Sequence, residues 1–107
     1  MAQKVEKHLP LFRLLAETTD AQRSAIVKTL TPGQIKGVLE AIYNVLRGTC
    51  PVSDKVKKAL YHQRRTIRRL VSKDLTRQQQ HRLLVKHRAV LPLLLKPVIE
   101  FFRDAAL

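Results

Sequence analysis

An all-α fold, a compact single-domain bundle of five to six short helices, is what this 107-residue chain predicts. Three observations carry that expectation. Ile35, Val38, Leu39, Ile42, Val45 and Leu46 recur at i, i+3, i+4, i+7 spacing, a sustained helical stripe. Side-chain oxygens of the capping kind stand ahead of successive segments, at Thr18-Thr19-Asp20, Thr31, Ser53 and Thr76. No segment alternates with period two, and three glycines are too few for the turns of a sheet protein. The length suits one domain, able to bury about two thirds of its unfolded surface. Apolar residues make up 45% of the chain, and Leu, Val, Ile and Ala supply most of the packing. The aromatics are few: Phe12, Tyr43, Tyr61, Phe101 and Phe102.

The first helix is read over Leu9, Leu11, Phe12, Leu14, Leu15 and Ala16, ending near Glu17. The second runs from about Ala21 to Leu30, with Ala25, Ile26 and Leu30 inward. Thr31-Pro32-Gly33-Gln34 opens the third, joining a capping box to a proline at the first helical position. Gly48 ends it, Pro51 blocks continuation, and Gly37 inside it marks a close helix crossing. Ser53 caps a fourth helix with Asp54 in its first turn. Its inner stripe is Val56, Ala59, Leu60, Gln63, Ile67, Leu70 and Val71. After a break at Ser72-Lys73-Asp74, Thr76 caps a fifth helix from Arg77 to about Arg88, with Leu83, Leu84 and Val85 apolar. Pro92 and Pro97 interrupt the last segment, which predicts a turn and a short helix starting near Leu93 or Pro97. Glu100, Arg103 and Asp104 give that helix a polar edge.

Charge is the most uneven property of the chain. Residues 53–88 hold twelve Lys or Arg against two acids, Asp54 and Asp74, and so carry ten of the thirteen net positive charges. A patch this dense repels itself unless a polyanion lies against it. On the fourth helix Lys57, Lys58, Tyr61, Arg64, Arg65, Arg68, Arg69 and Ser72 fall opposite the apolar stripe, on one continuous face. Lys55 flanks that face, and Lys73, Arg77, Arg82, Lys86 and Arg88 extend it onto the next helix. These twelve cations are the candidate nucleic-acid-binding residues. Arginine forks hold phosphate oxygens in pairs, and a face meant only for solubility mixes Lys with Glu. Duplex DNA bound through its backbone is the favoured partner, because only one aromatic, Tyr61, lies in the block and single-strand binding wants several. Arg77 with Gln78, Gln79 and Gln80 either reads base edges or forms a plain polar first turn.

No enzyme is expected. His8, His62, His81 and His87 make no i, i+4 pair, and Cys50 has no partner at zinc spacing, so neither a metal nor a cofactor is expected. Glu17, Asp20, Glu40 and Asp54 fall where caps or solvated faces place carboxylates. No glycine-rich phosphate loop or nucleophile elbow is present. Cys50, in a turn between Thr49 and Pro51, is expected to be accessible. The polar start and the lack of an apolar run of membrane-spanning length lead to an intracellular expectation, in a nucleus or a virion.

Residues 90–102 are nearly all apolar and follow the basic block. Three readings stand open for them: closure of the bundle's own core, a surface for a protein partner or self-association, and an amphipathic membrane contact backed by the preceding cations.

Gln22-Arg23-x-Ala25-Ile26, Thr31-x-x-Gln34-Ile35 and Glu40-Ala41-Ile42-x-Asn44-Val45-Leu46-x-Gly48 succeed one another along the chain. Pro51-Val52-Ser53, a basic helix and an apolar finish follow. This succession resembles short basic proteins of Polinton/Maverick-type elements and adintovirus-like DNA viruses, over about two thirds of the chain. Where those proteins often place Gly-Gly before the apolar tail, Arg88-Ala89 stands here, which leaves the tail's role open. The resemblance implies a mobile-element or viral protein packaged with the genome or acting on it, and it brings no catalytic residue. The expected function is non-enzymatic nucleic-acid binding, with DNA condensation or packaging in a particle. The alternative is a helical structural or adaptor protein, a minor virion component, associating through its apolar tail.

Overall fold

Hydroxyl-capped helices dominate the structure, a computed structural model that describes residues 3–105. In chain order they are α1 (Gln3–Glu6), α2 (Leu9–Glu17), α3 (Asp20–Lys28), α4 (Pro32–Leu46), α5 (Asp54–His62), α6 (Arg64–Leu70), α7 (Arg77–Lys86) and α8 (Leu91–Ala105), with a 3-10 turn, Arg88–Val90, before α8. No strand occurs among the described residues. Thr19 with Gln22, Thr31 with Gln34 and Thr76 with Gln79 form reciprocal capping boxes, and Ser53 accepts from the Val56 amide. Each such cap contributes about 1 kcal/mol and sets where its helix begins. Gly48 ends α4 at φ 79°, a left-handed conformation that favours glycine.

Three long apolar stripes meet in the centre. Phe12 and Leu15 of α2, Val38 and Ile42 of α4, and Leu91, Leu94, Leu95 and Val98 of α8 are all sealed from solvent. Helix α8 packs along α2 and across α4, α3 lies on α7, and α1 touches α4. The radius of gyration is 12.8 Å, matching the roughly 13 Å expected for a compact domain of this length. Arg23 locks α2 to α3. It is nearly buried, and its guanidinium donates to the carbonyls of Leu15 (2.6 Å) and Thr18 (2.7 Å), groups that the end of α2 leaves without helical partners.

The structure corrects several sequence expectations. The last segment is one continuous helix from Leu91, and it runs through both prolines. Pro92 sits in the first turn, where no amide is needed. Pro97 forgoes one helical bond at a cost of about 3 kcal/mol, set against burial of its own ring and of the surrounding Leu94, Leu95 and Val98. The apolar tail is thus core. The fourth helix is instead two, because Gln63 interrupts it at φ −101°, ψ 11°. A straight helix carrying Ile67 and Leu70 inward would carry Gln63 inward too, burying an unpaired amide. The break turns Gln63 out to solvent. Ala25 and Leu46 also point outward, and Cys50 is buried at 1% exposure with its thiol pKa raised chiefly by desolvation.

Gly37 marks a close approach as expected, between α4 and the α1–α2 connection. A Cβ there would collide with the His8 imidazole. Two stability measurements check this packing. Leu94→Ala lowers the free energy of unfolding in urea by about 2–5 kcal/mol; a loss under about 1 kcal/mol would mean that α8 does not close the core. Gly37→Ala destabilises by about 1–3 kcal/mol through overpacking, despite alanine's better helix propensity, and adding His8→Ala restores the loss. Failure of that second change to rescue would rule out the collision as the cause.

Candidate nucleic-acid interface

The basic block forms the outside of the bundle. Helix α5 contains no fully buried residue and rests on α6 and α8 through half-buried Val56, Ala59 and Leu60. Helix α6 is anchored by Ile67 and Leu70, both at 0% exposure. Ten of the twelve candidate cations are exposed, Arg64 and Arg88 being half-buried. Successive helical residues are about 100° apart, so the four arginines of α6 make two ridges, Arg64 with Arg68 and Arg65 with Arg69. No acid pairs with any of the four among the described residues. The cations at the end of α6 also sit favourably at the negative pole of its backbone dipole.

The break at Gln63 divides the single predicted stripe. Lys57 of α5 rejoins Arg64 and Arg68 along a groove of about 440 Å³, floored by Leu46 and Leu60 and walled by Tyr61. Tyr61 is 63% exposed, and the Arg64 guanidinium lies 4.0 Å above its ring while donating to the Tyr61 carbonyl at 3.0 Å. Lys73 and Arg77 belong elsewhere, to a groove of about 670 Å³ shared with Lys36, Tyr43 and Arg47 of α4. Arg82 and Lys86 flank a third hollow beside Lys28 and His81. Lys55 lies by Lys96 and Glu100 of α8, apart from the rest.

Two candidate groups have structural duties. Arg88 donates to Asp20 at 2.9 Å and to the Val85 carbonyl at 3.0 Å, tying the 3-10 turn to α3. Its charge is thereby answered within the chain, and it leaves the candidate set. The glutamine run is likewise committed: Gln79 closes the Thr76 capping box, and Gln80, 8% exposed, accepts from Arg77 at 2.9 Å and donates to the Ser72 carbonyl at 3.4 Å. Gln78 alone of the three stays exposed without such a bond, so base reading by the run has little left to act with. The Gln80 bonds do orient Arg77 toward its groove.

Sequence reasoning missed Lys36, Tyr43 and Arg47. They lie outside the dense block, on a helix read for its apolar stripe, and only the fold brings them to Lys73 and Arg77. A signal was present, since Lys36, Tyr43 and Arg47 share one helical face at spacings of seven and four. Among the described residues no group of three His, Cys, Asp or Glu is placed to hold a metal ion, and no helix is long and apolar enough to cross a membrane. His81 lies 2.6 Å from the Val27 carbonyl, a bond across the α3–α7 contact. Comparison with known protein families, curated proteins and solved structures finds no match to this chain.

His87, at the end of α7, has its pKa lowered from the ordinary 6.5, first by burial and then by the charges of Lys86 and Arg69. The folded value lies below the unfolded one, so the unfolded chain takes up this proton first. The neutral ring's contribution to stability is full above about pH 6.5 and is lost as pH falls through the folded value. Between pH 7.5 and 5.5, His87→Gln therefore loses less stability than the parent in urea titrations. Parallel curves for the two proteins would remove His87 as the source of the acid sensitivity.

Proposed function

We propose that this chain is a non-enzymatic nucleic-acid-binding protein that holds the phosphate backbone of duplex DNA and condenses or packages it. A single observation carries the reading. Ten net positive charges fall within residues 53–88, and the fold turns nearly all of their cations to solvent without partnering the arginines of α6. Burial of Arg23 against backbone carbonyls and pairing of Arg88 with Asp20 show that the same chain gives arginine internal partners where it serves the fold. Lys57, Lys58, Arg64, Arg65, Arg68 and Arg69 are the main phosphate contacts, with Lys73, Arg77, Arg82 and Lys86 extending them. Packaging within a viral or mobile-element particle is the setting that the resemblance of residues 22–70 supports. The structural or adaptor reading draws less support, because the apolar residues of α8 that it needs on the surface are largely buried.

Duplex affinity followed by fluorescence anisotropy across a salt series tests the proposal. Six or more phosphate contacts give a log–log slope of about −5 or steeper, with little dependence on base sequence. Reversing Arg64, Arg65, Arg68 and Arg69 to Glu abolishes binding while the far-ultraviolet dichroism stays helical. Undiminished binding by the folded variant would overturn the assignment.

A further inference from the structure

Two grooves described above share a construction that phosphate binding alone does not require. Each has an exposed tyrosine with an arginine over its ring. Tyr43, 46% exposed, lies under the Arg47 guanidinium at 5.3 Å, and Tyr61 lies under Arg64 at 4.0 Å. The grooves flank the C-terminal end of α4, one on the Tyr43 and Arg47 side and the other on the Val45 and Leu46 side. Each also has an apolar floor, Leu39 and Val71 in the first, Leu46 and Leu60 in the second. Large exposed aromatics lie uncovered only at a cost in apolar surface left in water. These two are the tyrosines of the chain, and each stays about half exposed with an arginine against one ring face.

We infer that the Tyr43 groove takes an unpaired nucleobase of a single-stranded nucleic acid, stacked on the tyrosine ring, with Lys36, Arg47, Lys73 and Arg77 on the flanking phosphates. The inference rests on the nucleic-acid reading and adds to the duplex-binding face a site for an unpaired base. Charge and shape both fit. Four cations line the groove against one carboxylate, Glu40, and its volume of about 670 Å³ admits a nucleotide. A base presents a flat π-face of any sequence, and stacking on an aromatic is the sequence-tolerant means by which single strands are held. In a duplex that face is occupied by neighbouring bases and cannot reach Tyr43. Glu40 bears on the same choice. A carboxylate weakens a site for phosphate alone, whereas it accepts from an N–H on the edge of an unpaired base, such as N3–H of thymine or uracil. Gln80 is a positioning residue here, since its bond fixes the Arg77 fork at the groove edge. Tyr61 offers a second platform one groove away, so a strand crossing the end of α4 meets two stacking sites.

Labelled twelve-nucleotide probes test this by anisotropy at one moderate salt concentration: oligo-dT, oligo-U, an abasic strand of equal length, and a duplex. The parent, Tyr43→Ala and Tyr43→Phe are compared, with thermal melts to show that the exposed substitutions leave the fold intact. Tyr43→Ala weakens single-strand binding by about 5- to 100-fold, the range for loss of one stacked base. It leaves duplex affinity within about twofold, and Tyr43→Phe, which keeps the ring, restores the parent value. The abasic strand binds the parent no better than oligo-dT binds Tyr43→Ala, and oligo-dT against oligo-U reports which sugar is preferred. Single-strand affinity unchanged in Tyr43→Ala, or an abasic strand bound as tightly as oligo-dT, overturns the stacking site while leaving duplex binding to stand. Absence of binding to every probe at low salt overturns the nucleic-acid reading and this inference with it.

Discussion

Closure of the core by α8 is the constraint on which the rest of the structure depends. Leu91, Leu94, Leu95 and Val98 complete an interior begun by α2 and α4. This central packing is what holds a strongly charged surface together. Ten net charges within residues 53–88 repel one another, and that region supplies few sealed residues, chiefly Ile67, Leu70 and Leu84. Helix α5 supplies none. The basic helices are therefore held on the bundle more than they build it, and α8 contributes the apolar surface that they cannot.

Arginine serves two ends in this chain, and the difference lies in what surrounds it. Arg23 and Arg88 meet carbonyl oxygens and share Asp20, itself in the first turn of α3. Their charges are used up in joining α2, α3 and the turn before α8. The arginines of α6 have no comparable acid to turn to. Of the two acids in the block, Asp54 sits at the start of α5, where it suits the helix dipole, and Asp74 sits in the turn after α6. Segregation of charge along the sequence thus becomes segregation in space.

Local chemistry was legible in the sequence. Thr31 with Gln34, the proline after it, Gly48 at the end of α4 and the serine ahead of α5 are decided within a few residues, and each stands where read. Features that depend on distant partners were not. Arg88 looked like one more free cation because its acid, Asp20, is 68 residues away. Gln80 stood between a base reader and a plain polar first turn, because its burial depends on the turn at Ser72. Pro97 read as an interruption or a helix start, since the bond it forgoes is local while the burial that offsets it is tertiary. Yet spacing through both prolines, with Leu91, Leu94, Leu95 and Val98 against Lys96, Glu100 and Arg103, already described a single amphipathic helix.

The break at Gln63 links fold to site. In one straight helix Lys57, Tyr61, Arg64 and Arg68 would lie along a line about 16 Å long, each neighbour one turn from the next. With the helix interrupted, those residues instead gather around a single groove beside the end of α4. The same end of α4 carries Tyr43 and Arg47 into the neighbouring groove with Lys73 and Arg77. One polar residue turned out to solvent thus goes with the gathering of Lys57, Tyr61, Arg64 and Arg68 around one groove. The shape of the basic face beside α4 thus follows from how the chain avoids burying the amide of Gln63.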